Sequence, residues 1–298
     1  MRSRFVIRLA AAICFAVFSS ALAAPGPTAP STAVPPLKSP TEFLGFEIGA
    51  DRKLADYEQA LAYFRLLDEA SPWVAVREIG TTALGKPMIA VVLSTPANLE
   101  KLDHYVDLSR RLADPRKLAP AEASSLIREA RIVTMITASL HATEIGAMQM
   151  SLELAYDVAA GKSERLSKAL EETILFIVPM NPDGMQLVAE WYRKWLGTEY
   201  EGGTMPWLYH RYAGHDNNRD FFMLNLPETR AVFDLFFKGA VPQAVLDMHQ
   251  MQSTGARLIL PPYYAPANDN VDPIVYRANN FVGAAMQLAC EVRGLSGV

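Results

Sequence analysis

A histidine and a glutamate stand three residues apart, directly after an apolar run, in the segment His141-Ala142-Thr143-Glu144. Imidazole nitrogen and carboxylate oxygen are ligands that zinc favours, and a hydrolytic zinc site keeps one position open for water. Two ligands at this spacing can hold one ion from a single tight turn. His249 also follows an apolar run and is the natural candidate for a third ligand. The pattern predicts a metal site made of two histidines and one glutamate.

The same residues also allow a purely structural interpretation. A histidine at a strand end can hydrogen-bond to the backbone, and Glu144 would lie in the first turn of a helix, where its charge suits the helix dipole. A second polar cluster, Asp216-Asn217-Asn218-Arg219-Asp220, adds to the metal interpretation. Arginine and asparagine can bind a carboxylate, and Asp216 could accept the N–H of a metal-binding histidine. A solvated polar loop is the alternative for this cluster.

Apolar runs and helical periodicity predict the elements that position these residues. Strands are expected at Met88–Leu93, Ile132–Ala138, Ile174–Val178, Ala244–Met248 and Arg257–Leu260, and helices at Tyr57–Leu67, Ile145–Ala160, Pro227–Phe237 and Ile274–Val292. Continuous apolar strands separated by helices indicate a sheet buried on both faces. We therefore expect a three-layer α/β/α domain with a mixed, mainly parallel sheet, and catalytic groups at the carboxyl ends of its strands.

The first residues predict export. Residues 1–23 resemble a secretory signal, with Arg2, Arg4 and Arg8 before an apolar stretch and Ala21-Leu22-Ala23 as the cleavage site. A retained membrane anchor is the alternative, although the apolar run is shorter than the about 20 residues that a spanning helix needs. We expect a secreted or periplasmic protein with no membrane association after cleavage. Residues 24–49 are predicted as a Pro/Ala-rich lead-in and residues 50–298 as the domain.

Composition narrows the classes of function. Half of the 298 residues are apolar, which excludes a disordered or collagen-like chain. The 28 basic residues against 32 acidic ones give a net charge of −4, so no nucleic-acid partner is expected. Cleavage of the signal would remove Cys14 and leave Cys290, which excludes an internal disulfide. Nothing in the composition predicts the oligomeric state.

Four motifs follow one another along the chain: His141-Ala142-Thr143-Glu144, Asn181-Pro182-Asp183-Gly184, Asn218-Arg219 and His249. Their order resembles the M14 zinc carboxypeptidases of the carboxypeptidase A type. The segments Ser71-Pro72, Ile79-Gly80 and Gly85-Lys86-Pro87 match the usual lead-in of that family. The resemblance covers roughly residues 50 to 265 and implies a carboxypeptidase-like fold, Zn²⁺ as cofactor and a peptide substrate.

The resemblance also implies roles for individual residues. His141, Glu144 and His249 are expected to bind zinc, Asn218 and Arg219 to hold the terminal carboxylate of the substrate, Asp216 to support the first zinc histidine, and Arg193 to polarise the scissile carbonyl. For Arg193, a charged helix face is the alternative. Gly146, Gln250 and the insertion-like stretch Trp195–Gly214 depart from the family pattern, so residue preference is not carried over.

The general base of the family is a glutamate well after the third ligand, at the end of a further strand. Only 49 residues follow His249, and their acids are Asp269, Asp272 and Glu291, none of which matches that position. We therefore expect that the C-terminal part of the domain is missing and that turnover is reduced. The predicted function is a zinc metallocarboxypeptidase acting on exported or extracellular peptides. The alternatives are an inactive zinc- and peptide-binding fragment and a zinc amidase acting on cell-wall peptides.

Overall fold

A computed structural model describes residues 37–251, 258–262 and 268–295. The described chain forms two compact units, one that ends at Gln250 and one that begins at Met251. The predicted signal and residues 24–36 of the predicted lead-in lie outside the described residues. Among the residues described, no helix combines the length and hydrophobicity that a membrane span requires.

Five strands of the first unit form one mixed sheet. They are β1 Val74–Thr81, β2 Pro87–Leu93, β3 Ile132–Ala138, β4 Thr173–Pro179 and β5 Ala244–Asp247. Their order across the sheet is β1-β2-β4-β3-β5. Strand β2 pairs antiparallel with β1 and β4, whereas β3 pairs in parallel with β4 and β5. The mixed sheet confirms the predicted fold class, and its parallel part is the part that leads to the candidate site residues.

Helices cover both faces of this sheet. In the first unit they are α1 Pro40–Leu44, α2 Tyr57–Ala70, α3 Pro96–Glu100, α4 Leu102–Ala113, α5 Pro120–Glu129, α6 Gly146–Ala159, α7 Glu164–Leu170, α8 Pro182–Trp195 and α9 Pro227–Asp234. Short 3₁₀ turns occur at Pro115–Lys117 and Asn217–Arg219, and a π-helical turn at Leu235–Gly239 follows α9.

Strand β2 shows why strands of this sheet are continuous apolar runs in the sequence. Its side chains alternate between the two faces, as they do in any strand. Ile89 and Val91 pack in a core with residues of α2 and α6, whereas Met88 and Ala90 pack in a second core with residues of α4, α5 and α9. All four side chains are fully buried. Both faces of the sheet are therefore covered by helices, which confirms the three-layer arrangement.

Two predicted elements differ from the structure. Residues 258–260, part of the predicted strand Arg257–Leu260, have no regular secondary structure, and Arg257 lies outside the described residues. Strand β1 was not predicted, because its position at the edge of the sheet leaves most of its side chains partly exposed. Residues Phe43 and Leu44, within the predicted lead-in, pack against the α2/α6 core.

The second unit contains the helix α10, Pro273–Val292. It begins where predicted, since the Asp272 carboxylate accepts a hydrogen bond from the Ile274 N–H at 3.0 Å and caps the helix. Near its middle, Gly283 allows close approach of the Pro261 carbonyl, because a Cβ at this position would lie 1.8 Å from that oxygen. Glu291, in the last turn, accepts a hydrogen bond from the Gln287 amide at 2.9 Å.

Candidate metal centre

The two candidate histidines follow neighbouring parallel strands. Strand β3 leads to His141 and β5 leads to His249, and Thr137 of β3 is in register with Asp247 of β5. The register continues past the strands, because the Met248 N–H donates to the Thr137 carbonyl at 3.1 Å. Since carboxyl ends of parallel strands meet at one edge of the sheet, residues 108 positions apart along the chain come into contact there.

Three side chains converge at this edge. The Glu144 carboxylate lies 2.9 Å from Nδ1 of His141 and 3.2 Å from Nδ1 of His249, and the two Nδ1 atoms are 3.2 Å apart. One ligand atom from each residue falls within 4.8 Å of the others. His141 and Glu144 are partly buried, whereas His249 is more exposed. The structure thus brings the three predicted ligand residues together.

The outer nitrogens of both rings contact carboxylates. Nε2 of His141 lies 3.2 Å from Asp216 Oδ2, and Nε2 of His249 lies 2.9 Å from Asp247 Oδ2. A carboxylate only accepts hydrogen bonds, so a histidine that binds a cation through Nδ1 can donate its Nε2–H to the carboxylate beside it. Two Nδ1 atoms and the Glu144 carboxylate face one point. This donor set fits a cation, and nitrogen and oxygen ligands of this kind suit zinc.

Asp247 was not identified from the sequence. Its Oδ1 accepts a hydrogen bond from the Thr137 hydroxyl at 2.6 Å while its Oδ2 holds His249, so the carboxylate links β3 to the third ligand residue. The sequence spacing could have identified Asp247, because residues two apart on an extended chain point to the same side. In the segment Asp247-Met248-His249, that spacing places the acid beside the histidine.

We expect Asp247→Asn to weaken zinc binding by roughly 10-fold, because partners of metal-binding histidines typically contribute 10- to 100-fold to affinity. The amide can still accept from Thr137, but it no longer offers His249 a charged acceptor. Competition titration against a chromogenic zinc chelator measures the change. Asp103→Asn is the matched control, since that side chain is 95% exposed. Equal zinc affinity in the Asp247 variant and the parent would contradict the orienting role of Asp247.

The loop that carries His141 is fixed by two asparagines. The Leu140 carbonyl accepts hydrogen bonds from the Asn217 amide at 2.7 Å and the Asn181 amide at 3.4 Å. Ser139 adopts a left-handed backbone conformation with φ of 56°, which turns the chain sharply after β3. Asn181 also caps α8 by accepting from the Gly184 N–H at 2.9 Å. The Asn181–Gly184 motif therefore supports the metal centre from outside it.

Asp183 of this motif joins separate parts of the first unit. Its carboxylate accepts from the Thr82 hydroxyl at 3.0 Å and the Leu84 N–H at 3.1 Å. The Tyr212 hydroxyl lies 3.2 Å from it and 2.7 Å from Glu228, the closer acceptor for its one proton. The side chain is buried, with 3% of its surface exposed. It thereby ties the turn between β1 and β2 to the start of α8.

Gly146 and Gln250, which both depart from the family pattern, contact each other. The Gly146 N–H donates to the Gln250 side-chain carbonyl at 3.1 Å, and the Gln250 N–H donates to Glu144 Oε2 at 2.8 Å. A Cβ on residue 146 would lie 3.3 Å from that side-chain oxygen. Gln250 thus fixes the Glu144 carboxylate and leaves little room for a larger residue at position 146.

Asp216 occupies the predicted position beside His141. Burial raises the pKa of its carboxyl, but hydrogen bonds from the Asn218 N–H, the Tyr209 hydroxyl and His141 outweigh burial, and the pKa lies below the ordinary 3.8. Asp216 is therefore ionised at neutral pH and can accept a hydrogen bond from Nε2 of His141. Tyr209, whose ring centroid lies 5.4 Å from that of His141, was not identified from the sequence.

The predicted carboxylate-binding pair follows Asp216 in a 3₁₀ turn, Asn217–Arg219. The Asn218 N–H donates to Asp216 Oδ1 at 2.8 Å, which fixes the turn beside the metal centre. The Arg219 side chain is exposed, and within the described residues it makes no hydrogen bond or ion pair. A cationic side chain without a partner among the residues described can bind an anionic substrate group.

Arg193 lies in the last turn of α8, and its guanidinium is engaged elsewhere. It donates to Asp56 Oδ2 at 2.5 Å, to the Leu54 carbonyl at 2.8 Å and to Gln59 Oε1 at 2.9 Å. These partners belong to the segment that begins α2. Across the described residues, no hydrogen bond or ion pair joins Arg193 to the three converging side chains. Its role toward a substrate carbonyl stays a prediction.

Comparison with solved structures returned metallocarboxypeptidases. A metallocarboxypeptidase from Burkholderia cenocepacia matches 68% of this chain and 43% of its own at 20% identity and a TM-score of 0.44. Carboxypeptidase A from Helicoverpa armigera matches 72% and 53% at 16% identity and 0.43. Thrombin-activatable fibrinolysis inhibitor matches 79% and 54% at 15% identity and 0.48. The chain thus spans about half the length of these proteins.

Comparison with curated proteins found no match. A family model gave the decisive result. The Peptidase M14 model, described as zinc carboxypeptidase, matches residues 60–271, which include all three converging side chains. The chain therefore belongs to the zinc carboxypeptidase family.

Proposed function

We propose that this chain is a zinc-dependent metallocarboxypeptidase that hydrolyses the C-terminal peptide bond of exported or extracellular peptides. The observation that carries the proposal is the convergence of two imidazole nitrogens and a carboxylate, with each imidazole held by an outer carboxylate, in a member of this family. Membership of this family supports a peptide substrate. The other side chains of the site can bind the carboxylate of a peptide C-terminus.

His141, Glu144 and His249 would hold the zinc. When bound, zinc acts as a Lewis acid that polarises a carbonyl oxygen and lowers the pKa of water. Asp216 and Asp247 keep the two imidazoles in the tautomer that binds metal. Arg219, with Asn218 beside it, binds the terminal carboxylate of the peptide through charge-assisted hydrogen bonds. Substrate then lies with its last peptide bond at the metal centre.

Two steps of the proposed reaction need further groups. Arg193 would have to exchange its hydrogen bonds to Asp56, Leu54 and Gln59 for the substrate carbonyl. Proton transfer to the leaving amine needs a general base, and Asp269, Asp272 and Glu291 are the acids that follow His249. We propose that none of these three acids serves as the base and that turnover is slow. Full-rate hydrolysis abolished by Asp272→Asn or Glu291→Gln would contradict this.

Blocking the C-terminus of the substrate tests the proposed reaction. With zinc present, we expect an N-acetylated peptide with a free carboxylate to be cleaved, and its C-terminal amide to be cleaved roughly 10- to 100-fold more slowly, because the charge-assisted bonds to Arg219 are lost. Product analysis by mass spectrometry gives both rates. In Arg219→Ala the two peptides should be cleaved at similar rates, whereas Arg230→Ala, which removes an exposed arginine elsewhere, should keep the difference.

Other outcomes of this assay support the alternatives. Zinc-dependent cleavage that amidation does not slow favours an amidase acting on internal or cell-wall amide bonds. Binding of zinc and peptide without any cleavage favours an inactive zinc- and peptide-binding fragment.

We also propose export through cleavage of residues 1–23. A mature N-terminus at Ala24, identified by mass spectrometry of the expressed protein, would support this.

A further inference from the structure

A wide cleft of about 750 Å³ lies in the first unit, on one side of the Glu144 loop. Aromatic and aliphatic side chains supply most of its walls, among them Trp191, Trp195, Trp207, Met150, Val188 and Leu208. Three of the four tryptophans in the chain therefore line a single cavity. Ligand sites in proteins are typically concave, largely apolar cavities of this size.

The insertion-like stretch Trp195–Gly214 forms one wall of this cleft and is held in place by specific contacts. The Trp191 indole N–H donates to the Gly203 carbonyl at 3.0 Å. Trp191 also packs edge-on against Trp195 and Trp207, with ring centroids 5.7 and 6.2 Å apart. An ion pair of 2.9 Å between Arg52 and Glu201 joins the wall to the opposite loop. The aromatic wall of the cleft is thus held in a defined position by a hydrogen bond, ring contacts and an ion pair.

The cleft reaches the loop that carries Glu144. Thr143, Ile145 and Gly146, which flank Glu144, are part of its lining. Asp216–Arg219, which contacts the centre through His141, is not. A peptide whose terminal carboxylate lies at Arg219 and whose last peptide bond lies at the three converging residues would continue into this cleft.

The chemistry of the walls indicates what the cleft accepts. Charged residues in the lining come in both signs, with Asp51 and Glu153 against Arg52 and Lys53, so the cleft does not select for charge. Indole rings offer a large apolar surface and favour aromatic partners in edge-on or offset contact. The preferred occupant is therefore a large apolar side chain.

We propose that this cleft is a specificity subsite that binds a large apolar side chain on the amino side of the scissile bond. The location of the cleft on the amino side of the scissile bond rests on the proposed carboxypeptidase function. The preference for a large apolar side chain rests on the residues that line the cleft. Trp207 is suited to test the proposal, because it is 38% exposed and its truncation leaves the buried core intact.

The experiment compares two N-acetylated tripeptides that differ only in the residue before the last, Phe in one and Gly in the other. We expect kcat/KM to favour the Phe peptide by about tenfold or more, as burial of one aromatic side chain implies. Trp207→Ala should reduce the preference to less than about threefold, and Trp207→Phe should retain most of it. Leu84→Ala, which removes an exposed apolar side chain outside the cleft, should match the parent.

A second readout does not depend on catalysis. In metal-free protein the same peptides are titrated against the intrinsic tryptophan fluorescence, which three cleft tryptophans dominate. We expect saturable binding that is about tenfold tighter for the Phe peptide, and a loss of this difference in Trp207→Ala. Equal binding of both peptides by the parent would overturn the subsite. Discrimination in fluorescence without zinc-dependent cleavage would support the subsite and contradict the proposed reaction.

Discussion

Replacement of His249 by alanine is expected to weaken zinc binding by at least about 100-fold and to abolish zinc-dependent cleavage. Structural zinc sites bind with about 10–16 kcal/mol from four ligands, so one ligand contributes roughly 3 kcal/mol, which corresponds to about 100-fold in affinity. His249 is the ligand residue that the neighbouring strand supplies, and its loss leaves only the pair His141 and Glu144 on one loop.

Zinc affinity is measured by competition with a chelator at fixed pH, since protons compete for the imidazole nitrogens. His104→Ala is the matched control, because His104 is an exposed histidine that forms an ion pair with Glu129. The control should bind zinc as tightly as the parent. Zinc affinity in the His249 variant within about threefold of the parent would mean that the converging residues are not the metal site.

Replacement of Asp183 by alanine is expected to lower the free energy of unfolding by about 3 kcal/mol or more. The change removes the acceptor for the Thr82 hydroxyl and the Leu84 N–H, and the first of these bonds is fully buried. Each buried donor left without a partner costs about 1–3 kcal/mol. For a domain of this size, the loss corresponds to a decrease in Tm of roughly 6–12 °C.

Urea denaturation with linear extrapolation measures this change, and a constant m-value shows that the unfolded state is unaltered. Asp103→Ala is the control, because surface substitutions usually change stability by less than about 0.5 kcal/mol. Asp183→Asn, which retains one acceptor oxygen, should fall between the two. If Asp183→Ala lowers the free energy of unfolding by less than about 1 kcal/mol, Asp183 does not stabilise the fold to the extent expected.

The sequence predicts those parts of the fold that local pattern determines. Strand β3 occupies Ile132–Ala138 as predicted, because both of its faces are covered and every position is apolar or small. Helix α2 ends at Ala70, directly before the predicted stop at Ser71. Strand β1 escaped prediction because half-exposed edge positions tolerate charge, as at Arg77 and Glu78. Local pattern thus identifies buried elements better than edge elements.

The candidate site likewise has residues that local sequence pattern identifies and contacts that it does not. His141 and Glu144 can be found by their spacing, and His249 by its place after an apolar run. The hydrogen bond from Gln250 to Glu144 depends on how two loops 106 residues apart come together, so no local pattern carries it. The bond between Arg193 and Asp56 joins residues 137 positions apart and likewise depends on packing of α8 beside α2. Contacts of this kind require the tertiary structure.

The contact between Gly146 and Gln250 has a consequence for how the site can change. A Cβ on residue 146 would lie 3.3 Å from the Gln250 side-chain oxygen, so this side chain would have to shift by a few tenths of an ångström, while the Gln250 backbone holds Glu144. Substitutions at the two positions are therefore expected to be epistatic. A lineage or design that places a larger residue at position 146 is expected to change the side chain at position 250 as well.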